Sequence, residues 1–376
     1  MKGRILFTLL IMAFSISIVY SQDEPQKDRH EFKTIIEIPT TEVKSQNMTG
    51  TCWSFATTSF IETEMMRLGK GEHDLSEMYF VKHSYLDKGE KYIRYQGAAN
   101  FGEGGQAHDV FNTIKKYGIV PESVFEGNKL DGEHNHTELA NVLQAFLDAV
   151  LKKKKKLTPY WNEAYSKVVD VYLGEEPKSF EYNGKKYTPE SFAKESGINP
   201  DDYVELTSFS HHPFYEKFIL EIPDNWTHNY YYNIPIDEII EVIDNSLNMG
   251  YSVCWDGDSG RENFLRTEGY AVVPDKNSDN EDKTKPEAEM SVTQELRQDL
   301  FNDFTTTDDH LMHITGSAEN QEGTKFYYTK NSWGTKDKKY NGYWYMSEQY
   351  VKLNTIAVIV HKDVLTKDLK SKLKIK

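Results

Sequence analysis

The stretch QNMTGTCWSFA, residues 46–56, places a cysteine at the start of a predicted helix. Apolar side chains recur at helical spacing from Trp53 to Leu68, and Gly69 follows as a stop signal. The unpaired amides at a helix N-terminus favour negative charge, so they are expected to lower the pKa of the Cys52 thiol. Because the thiolate is the form that attacks a carbonyl, Cys52 is a candidate nucleophile, with an inert core cysteine as the alternative.

A cysteine nucleophile needs an imidazole as base and a third group that orients the imidazole. His310 begins a predicted strand, and Asn331 ends the next one. A hairpin centred between Asn320 and Gln321 would place His310 directly opposite Asn331, with both side chains on one side of the sheet. The sequence therefore predicts a set made of Cys52, His310 and Asn331.

The developing oxyanion of an acyl-transfer reaction needs hydrogen-bond donors. Gln46 lies six residues before Cys52, and its side-chain amide is the candidate donor, together with the backbone amide of Cys52. Alone, a glutamine before a helix is expected on the surface. Its proposed role depends on the neighbouring candidate nucleophile.

The second cysteine and the other histidines are expected to be structural. His313 lies at an odd offset from His310, which turns it to the opposite face of the strand. Cys254, in the apolar run SVCW, is predicted to be a core residue, and a disulfide with Cys52 remains an alternative. Several other histidines lack a convincing cysteine or carboxylate frame, namely His108, His134 with His136, and His211 with His212. No metal or cofactor is therefore predicted.

Composition and the first residues bear on location and partners. The formal net charge of −15 argues against nucleic acid and anionic membranes as partners. Residues 1–21 combine a basic start with an apolar run and a plausible cleavage point, which is typical of a signal peptide. We expect an exported protein, periplasmic or secreted, without a membrane span after signal removal; a retained membrane anchor is the alternative.

The order of elements predicts an α+β protein. Helical patterns dominate the first half of the chain, including one long helical region over 138–174 whose lysine run 152–156 is expected on a solvated face. Short strands dominate the end. The predicted organisation is a polar leader (22–45), then a domain over 46–376 with a helical lobe to about 175, an insertion over about 176–234 and a β lobe over about 235–376.

Three segments resemble the papain family of cysteine peptidases. QNMTGTCWSFA is similar to its nucleophile segment, DHLM from Asp309 to its histidine strand, and KNSWG from Lys330 to its asparagine motif. The resemblance implies a papain-like two-lobe fold, a helical lobe plus a β-barrel-like lobe, with large insertions. It implies that Cys52 attacks the carbonyl, His310 moves the proton, Asn331 orients His310 and Gln46 helps bind the oxyanion. It further implies a substrate cleft bordered by Trp53, Gly104, Gly105, Asp309 and Trp333, the last shielding the contact between His310 and Asn331.

The wide separation of Cys52 and His310 resembles the bleomycin hydrolase and aminopeptidase C branch, as do the segments VVDVYLGEEPKSFEYNGKKYTPESF and YYYNIPIDEIIEVI. This branch implies aminopeptidase action on peptides and a homo-oligomer, a hexamer in the family. The basic end KDLKSKLKIK departs from the family's tail, whose end lies in the cleft, and an export signal is unusual for the branch. The alternatives are endopeptidase action, a catalytically silent peptide-binding pseudoenzyme, and a thiol amidase or acyltransferase acting on non-peptide amides.

Overall fold

The structure is a computed structural model that describes residues 29–152, 156–260, 262–275, 284–286 and 288–376. The predicted signal peptide, the first part of the leader and the middle of the lysine run lie outside these residues. Within the described ranges, no helix combines the length and the apolar character that crossing a membrane requires.

The chain folds as an α+β protein, as predicted from the order of its elements. The α-helices of the described residues are α1 Cys52–Arg67, α2 Glu77–Arg94, α3 Ala107–Tyr117, α4 Leu139–Leu151, α5 Tyr160–Leu173, α6 Pro189–Ser196, α7 Ile236–Asn248, α8 Gln294–Asn302, α9 Glu348–Asn354 and α10 Lys367–Leu373. The strands are β1 Phe32–Glu37, β2 Phe180–Tyr182, β3 Lys185–Tyr187, β4 Tyr203–Thr207, β5 Lys217–Ile219, β6 Tyr230–Asn233, β7 Val253–Gly257, β8 Phe264–Leu265, β9 Tyr270–Ala271, β10 His310–Asn320, β11 Lys325–Lys330, β12 Tyr343–Ser347 and β13 Thr355–His361.

One large mixed sheet forms the β lobe. Its strand order is β5-β6-β4-β13-β7-β10-β11-β12-β9-β8, and β1 also pairs with β10. Two strands pair with the same edge of the long strand β10. Strand β7 pairs with its first half and β1 with its second half. A Cβ at Gly316 would lie 2.1 Å from the carbonyl oxygen of Ile36, so this close approach of β1 requires glycine.

Helix α1 lies between two hydrophobic cores. The first core is formed mainly by α1 to α6, and the second by α7, α9 and the inner face of the large sheet. Because α1 contacts both the helices and strand β10, almost all of its side chains are buried, including Glu62 and Glu64. Buried charges need partners. Glu62 accepts from the amide of Leu75 at 2.8 Å, and Glu64 binds Arg67 at 2.8 Å.

The region 138–174, predicted as one helical stretch, contains two helices. Helix α4 ends at Leu151, and α5 begins at Tyr160 after Pro159. Proline fixes φ and lacks an amide proton, so it is suited to the beginning of a helix and interrupts a continuous one.

The segment 176–234, expected to be an insertion, is divided between the lobes. Phe180, Tyr187 and Phe192 pack into the helical core, whereas β4 pairs with β13 and extends the large sheet. Between β5 and β6, residues 220–229 form a loop with Asn225 and Trp226 buried. This loop reaches the candidate site described next.

Candidate active site

Cys52 is the first residue of α1, at the junction of the lobes. The thiol is buried, with 8 % of the residue exposed. Both cysteines are free thiols, so the alternative of a disulfide between Cys52 and Cys254 is wrong. Cys254 is a core residue, as predicted, with its Sγ 3.5 Å from Thr57 Oγ1.

His310 begins β10 and contacts Asn331, the residue that follows β11. The distance from His310 Nε2 to Asn331 Oδ1 is 2.8 Å. Within the described chain this is the hydrogen bond of the imidazole, so Nδ1 is the nitrogen that is available for a proton from Cys52. Among the described residues, no hydrogen bond joins Cys52 Sγ to His310.

The contact is present although the predicted register is wrong. The ladder pairs His313 with Lys330, shifts by one residue after Ile314, and continues from Gly316 opposite Tyr328. His310 instead lies opposite Gly257 of β7. A β-bulge of this kind moves the ladder by a residue, and the Asn331 side chain reaches His310 from beyond the end of β11.

His313 is on the opposite side of the strand from His310 and is fully buried. Its Nδ1 lies 3.0 Å from Ser59 Oγ, and its ring packs edge-on against Phe60. Burial lowers the pKa of His313 well below its usual value, so it stays neutral. This agrees with the packed role expected for it.

Gln46 is fixed by hydrogen bonds to two loops. Its Oε1 accepts from Ser332 Oγ at 2.6 Å, and its Nε2 donates to the carbonyl of Thr49 at 2.7 Å. Its backbone amide also donates to the carbonyl of Ser332 at 2.9 Å. Since a side-chain amide nitrogen carries two protons, one N–H of Gln46 remains to bind an oxyanion.

Trp333 packs against the imidazole of His310, with ring centroids 4.8 Å apart. This face excludes water from one side of the contact between His310 and Asn331. Asp309 is exposed, and its Oδ2 accepts from Ser259 Oγ at 2.8 Å. Asp309 therefore ties the start of β10 to the loop after β7.

The glycine pair Gly104–Gly105 lies beside Trp53, the residue that follows the candidate nucleophile. A Cβ on Gly105 would be 3.0 Å from the Trp53 ring, and Trp53 Nε1 donates to the carbonyl of Glu103 at 3.0 Å. The same Glu103 accepts from the amide of Gly50 at 2.6 Å, at the entry to α1. The loop that precedes α3 is thus attached directly to the nucleophile segment.

The electrostatics of Cys52 differ from the prediction. Burial raises the pKa of its thiol, and the carboxylates of Asp256, Asp308 and Asp224 raise it further, while the backbone amide of Leu311 acts in the opposite direction. The expectation that the pKa of Cys52 is lowered is therefore wrong for the free enzyme, because burial outweighs the helix amides. Burial also lowers the pKa of His310. Both shifts favour the neutral thiol and the neutral imidazole.

Two histidine groups do have carboxylate partners, contrary to the prediction. His108 Nδ1 lies 2.7 Å from Glu205, and His212 Nε2 lies 2.7 Å from Glu221. His211 Nε2 lies 3.1 Å from the same Glu221. These carboxylates come from the region between α6 and β6, so no spacing in the sequence indicated them.

Three further acidic residues near Cys52 were missed. Asp224 belongs to the loop between β5 and β6, Asp256 to β7, and Asp308 precedes the histidine strand. Their only sequence signals are a charge that ends the apolar run SVCWD and the doubled acid Asp308–Asp309. Neither signal distinguishes a site from a solvated surface.

The fold and this set of side chains define a papain-like cysteine peptidase. The model of the Peptidase C1-like family matches residues 87–376, and the chain belongs to this family. The chain is 27 % identical to aminopeptidase G of Lactobacillus delbrueckii subsp. lactis, covering 88 % of this chain and 83 % of the relative. It is 24 % identical to aminopeptidase C of Listeria monocytogenes serovar 1/2a, covering 89 % and 83 %.

A solved structure shares the fold. PepW from Lactobacillus rhamnosis HN001 matches with a TM-score of 0.74 at 21 % identity, covering 91 % of this chain and 84 % of that chain. This likeness confirms the papain-like fold.

Proposed function

We propose that this protein is a cysteine-type aminopeptidase that removes residues from the N-terminus of peptides, with Cys52 as nucleophile. The relatives named aminopeptidase G and aminopeptidase C support the reaction class. The observation that carries the proposal is the contact of 2.8 Å between His310 Nε2 and Asn331 Oδ1, close to the N-terminus of α1. It fixes the imidazole so that Nδ1 remains for the thiol.

The reaction begins with proton transfer, because thiol and imidazole are both neutral in the free enzyme. His310 Nδ1 takes the proton of Cys52 as Sγ attacks the carbonyl carbon of the substrate. Asn331 Oδ1 then accepts from the N–H of an imidazolium, a charge-assisted hydrogen bond that is stronger than a neutral one. The negative oxygen of the tetrahedral intermediate binds Gln46 Nε2 and the amide of Cys52.

Collapse of the intermediate completes acyl transfer. The C–N bond breaks, the leaving amine takes the proton from His310, and a thioester joins the acyl group to Sγ. A water molecule then gives a proton to His310 while its oxygen attacks the thioester carbonyl. The C–S bond breaks, the acid is released, and His310 returns the proton to Sγ. Trp333 keeps bulk water away from the imidazole during both steps.

The test uses amino-acid amidomethylcoumarins with a free or an acetylated amino group, together with a thiol probe. An aminopeptidase hydrolyses the free-amine compound and spares the acetylated one, and the probe labels Cys52. Equal hydrolysis of both would establish an endopeptidase. Labelling without hydrolysis of either would favour the thiol amidase or acyltransferase, and absence of both would favour the peptide-binding pseudoenzyme.

Export and assembly are parts of the same proposal. Residues 1–21 support an exported enzyme, which N-terminal sequencing of protein recovered outside the cytoplasm would test. A start near Gln22 is expected, and an intact Met1 would contradict it. The family resemblance supports a homo-oligomer, a hexamer by analogy, and analytical sedimentation would show its mass.

A further inference from the structure

The loop between β5 and β6 places a carboxylate on the glycine pair of the cleft. A Cβ on Gly104 would lie 1.9 Å from Asp224 Oδ2, so the carboxyl of Asp224 occupies the space beside this backbone. Asn100 holds the loop by donating to the carbonyl of Pro223 at 2.9 Å. Gly105 packs on Trp53, the residue after Cys52, and the carboxyl of Asp224 is close enough to Cys52 to help raise the pKa of its thiol.

This is the acyl side of the cleft. His310 must reach the leaving amine, so the leaving group lies toward His310 and Trp333. The part of the substrate that carries its N-terminus extends the other way, toward Gly105. A substrate that extends past Gly104 would meet Asp224, whose Oδ2 lies 1.9 Å from the place of a Cβ on Gly104.

Asp308 and Asp256 extend the negative charge along the same wall. Gln106, which follows the glycine pair, donates through Nε2 to Asp308 Oδ2 at 2.9 Å. The carboxyl of Asp308 is close enough to Asp256 to raise the pKa of Asp256 by charge repulsion, in addition to the effect of burial. Asp256 is only 3 % exposed, and neither of its carboxyl oxygens has a hydrogen-bond partner in the described part of the chain.

Lys88 compensates the negative charge of Asp224 only in part. Burial raises the pKa of Asp224 and the charge of Lys88 lowers it. The ammonium group of Lys88 already donates to the carbonyls of Gly102 and Gly104. Burial and repulsion from Asp224 raise the pKa of Asp308 to about 8. Carboxyls that repel each other in a partly buried site would be stabilised by a bound cation.

We propose that Asp224 and Asp308, with the buried Asp256 close to them, bind the positively charged α-amino group of the peptide substrate. This assignment rests on the proposed aminopeptidase function and names the groups that would make the enzyme select free N-termini. The shared chemistry is an ammonium or guanidinium cation, so the side chain of a lysine or arginine in the acyl part of the substrate is the other source to separate.

The chain's basic end lies elsewhere. Residues 374–376 line a groove together with Pro200, Asp201 and Lys217, and that groove includes none of Cys52, His310, Gln46 and Gly105. In the described residues, the carboxylate over the glycine pair therefore comes from the loop between β5 and β6. The carboxylate of Asp224 over the glycine pair thus differs from the chain end that lies in the cleft in the family.

The test compares wild type with Asp224→Asn, Asp308→Asn and the control Asp131→Asn. Asp131 is exposed in a turn at φ 53°, a conformation that asparagine also adopts readily. For free-amine amidomethylcoumarins, KM should rise about 10- to 100-fold in the first two variants, as expected for loss of one charged hydrogen bond, with kcat changed much less. Acetylated substrates should bind all four proteins equally weakly.

A second readout keeps binding separate from hydrolysis. Protection of Cys52 from iodoacetamide is measured with an uncleaved free-amine peptide amide, with its acetylated form, and with an acetylated form that contains arginine. The inference holds if only the free-amine compound protects wild type and loses that protection in Asp224→Asn and Asp308→Asn. Circular dichroism and thermal melting show whether each variant is folded. If Asp308→Asn does not fold, Asp224→Asn alone tests the proposal.

Two results would overturn the inference. One is a preference for free amines in wild type that neither variant changes, which would leave the proposed aminopeptidase intact but assign its selectivity to other groups. The other is protection by the acetylated arginine compound that depends on Asp224 and Asp308, which would make the cluster a pocket for a basic side chain. Loss of the proposed function itself would appear differently, as a wild type that hydrolyses neither class or hydrolyses both equally.

Discussion

The two sides of Cys52 are built from different parts of the chain and hold charge differently. On one side, His310 and Asn331 are neutral in the free enzyme and directly hydrogen-bonded at 2.8 Å. On the other, Asp224, Asp256 and Asp308 repel one another and raise the pKa of the cysteine. The first side is assembled from two neighbouring strand ends, and the second from a loop, a strand and a turn far apart in sequence.

This difference between the two sides of Cys52 separates proton transfer from the selection of substrates. Proton transfer requires a fixed geometry, and the contacts at β10 and β11 supply it with few residues. Selection of a cationic substrate requires an unmet charge, which costs stability until the ligand is bound. We therefore expect substitutions on the first side to reduce turnover for every substrate. Substitutions on the second side should change which substrates are accepted.

The largest effect is expected from loss of the nucleophile. Cys52→Ala should reduce kcat by about 10⁶-fold, since removal of a covalent nucleophile leaves only binding and oxyanion stabilisation. Hydrolysis of a free-amine amidomethylcoumarin measures this. Cys254→Ala is the matched control, buried in the core, and should cost about 1 kcal/mol of stability while keeping activity. Residual activity within tenfold of wild type in Cys52→Ala would refute its role.

Gln46→Ala should lower kcat about 10²- to 10³-fold, because one donor to the oxyanion is lost. KM should change little, since the donor acts mainly in the transition state. Ser332→Ala removes the hydroxyl that holds Gln46 Oε1 at 2.6 Å and should give a smaller loss. An unchanged kcat in Gln46→Ala would remove this residue from the oxyanion site.

Asn331→Ala should lower kcat/KM about 10- to 100-fold for free-amine and any other cleaved substrate alike. A hydrogen bond to a charged group contributes about 1.5–3 kcal/mol, and Asn331 would stabilise the imidazolium by this amount. Steady-state kinetics with several substrates checks the uniformity. A loss confined to free-amine substrates would break the division between the two sides.

Gly104→Ala should reduce the preference for free amines by about tenfold, since an added Cβ would displace the Asp224 carboxyl and remove one charged contact. Gly102→Ala is the matched control, because a Cβ there meets no atom within 4 Å. The ratio of kcat/KM for free and acetylated substrates is the measurement. Equal behaviour of the two variants would show that the position of Asp224 does not control selection.

The smallest expected effect is a shift of the acid limb of the pH profile. The pKa of His310 is lowered in the folded protein, so the neutral base exists above that pKa and is lost as pH falls through it. The limb of kcat/KM should therefore lie below pH 6.5. Arg266 lowers this pKa and Asp309 raises it, so Arg266→Gln should move the limb upward and Asp309→Asn downward.

Each shift should be roughly 0.2–0.7 of a pH unit, because exposed charge pairs contribute about 0.2–1 kcal/mol. The profiles are measured under conditions where kcat/KM reports the free enzyme. Shifts of the same sign in both variants would mean that another group sets the limb.

Local sequence patterns predicted much of the fold. Helix α1 was predicted from apolar spacing and Gly69, and α7 from Pro235 and the periodicity that follows. The hairpin was predicted, but its predicted register is wrong, because the ladder shifts by one residue after Ile314, next to the close approach of β1 at Gly316. Propensity does not encode such a long-range contact.

Sequence by itself determined which residues are candidates for the catalytic centre, because Cys52, His310, Asn331 and Gln46 stand in short motifs at the ends of regular elements. Only the tertiary structure decided how that centre is charged. The direction of the Cys52 pKa shift depends on burial and on three carboxylates distant in sequence. Burial and through-space charge are properties of packing, and no local pattern of residue types specifies which loop will cover a cleft.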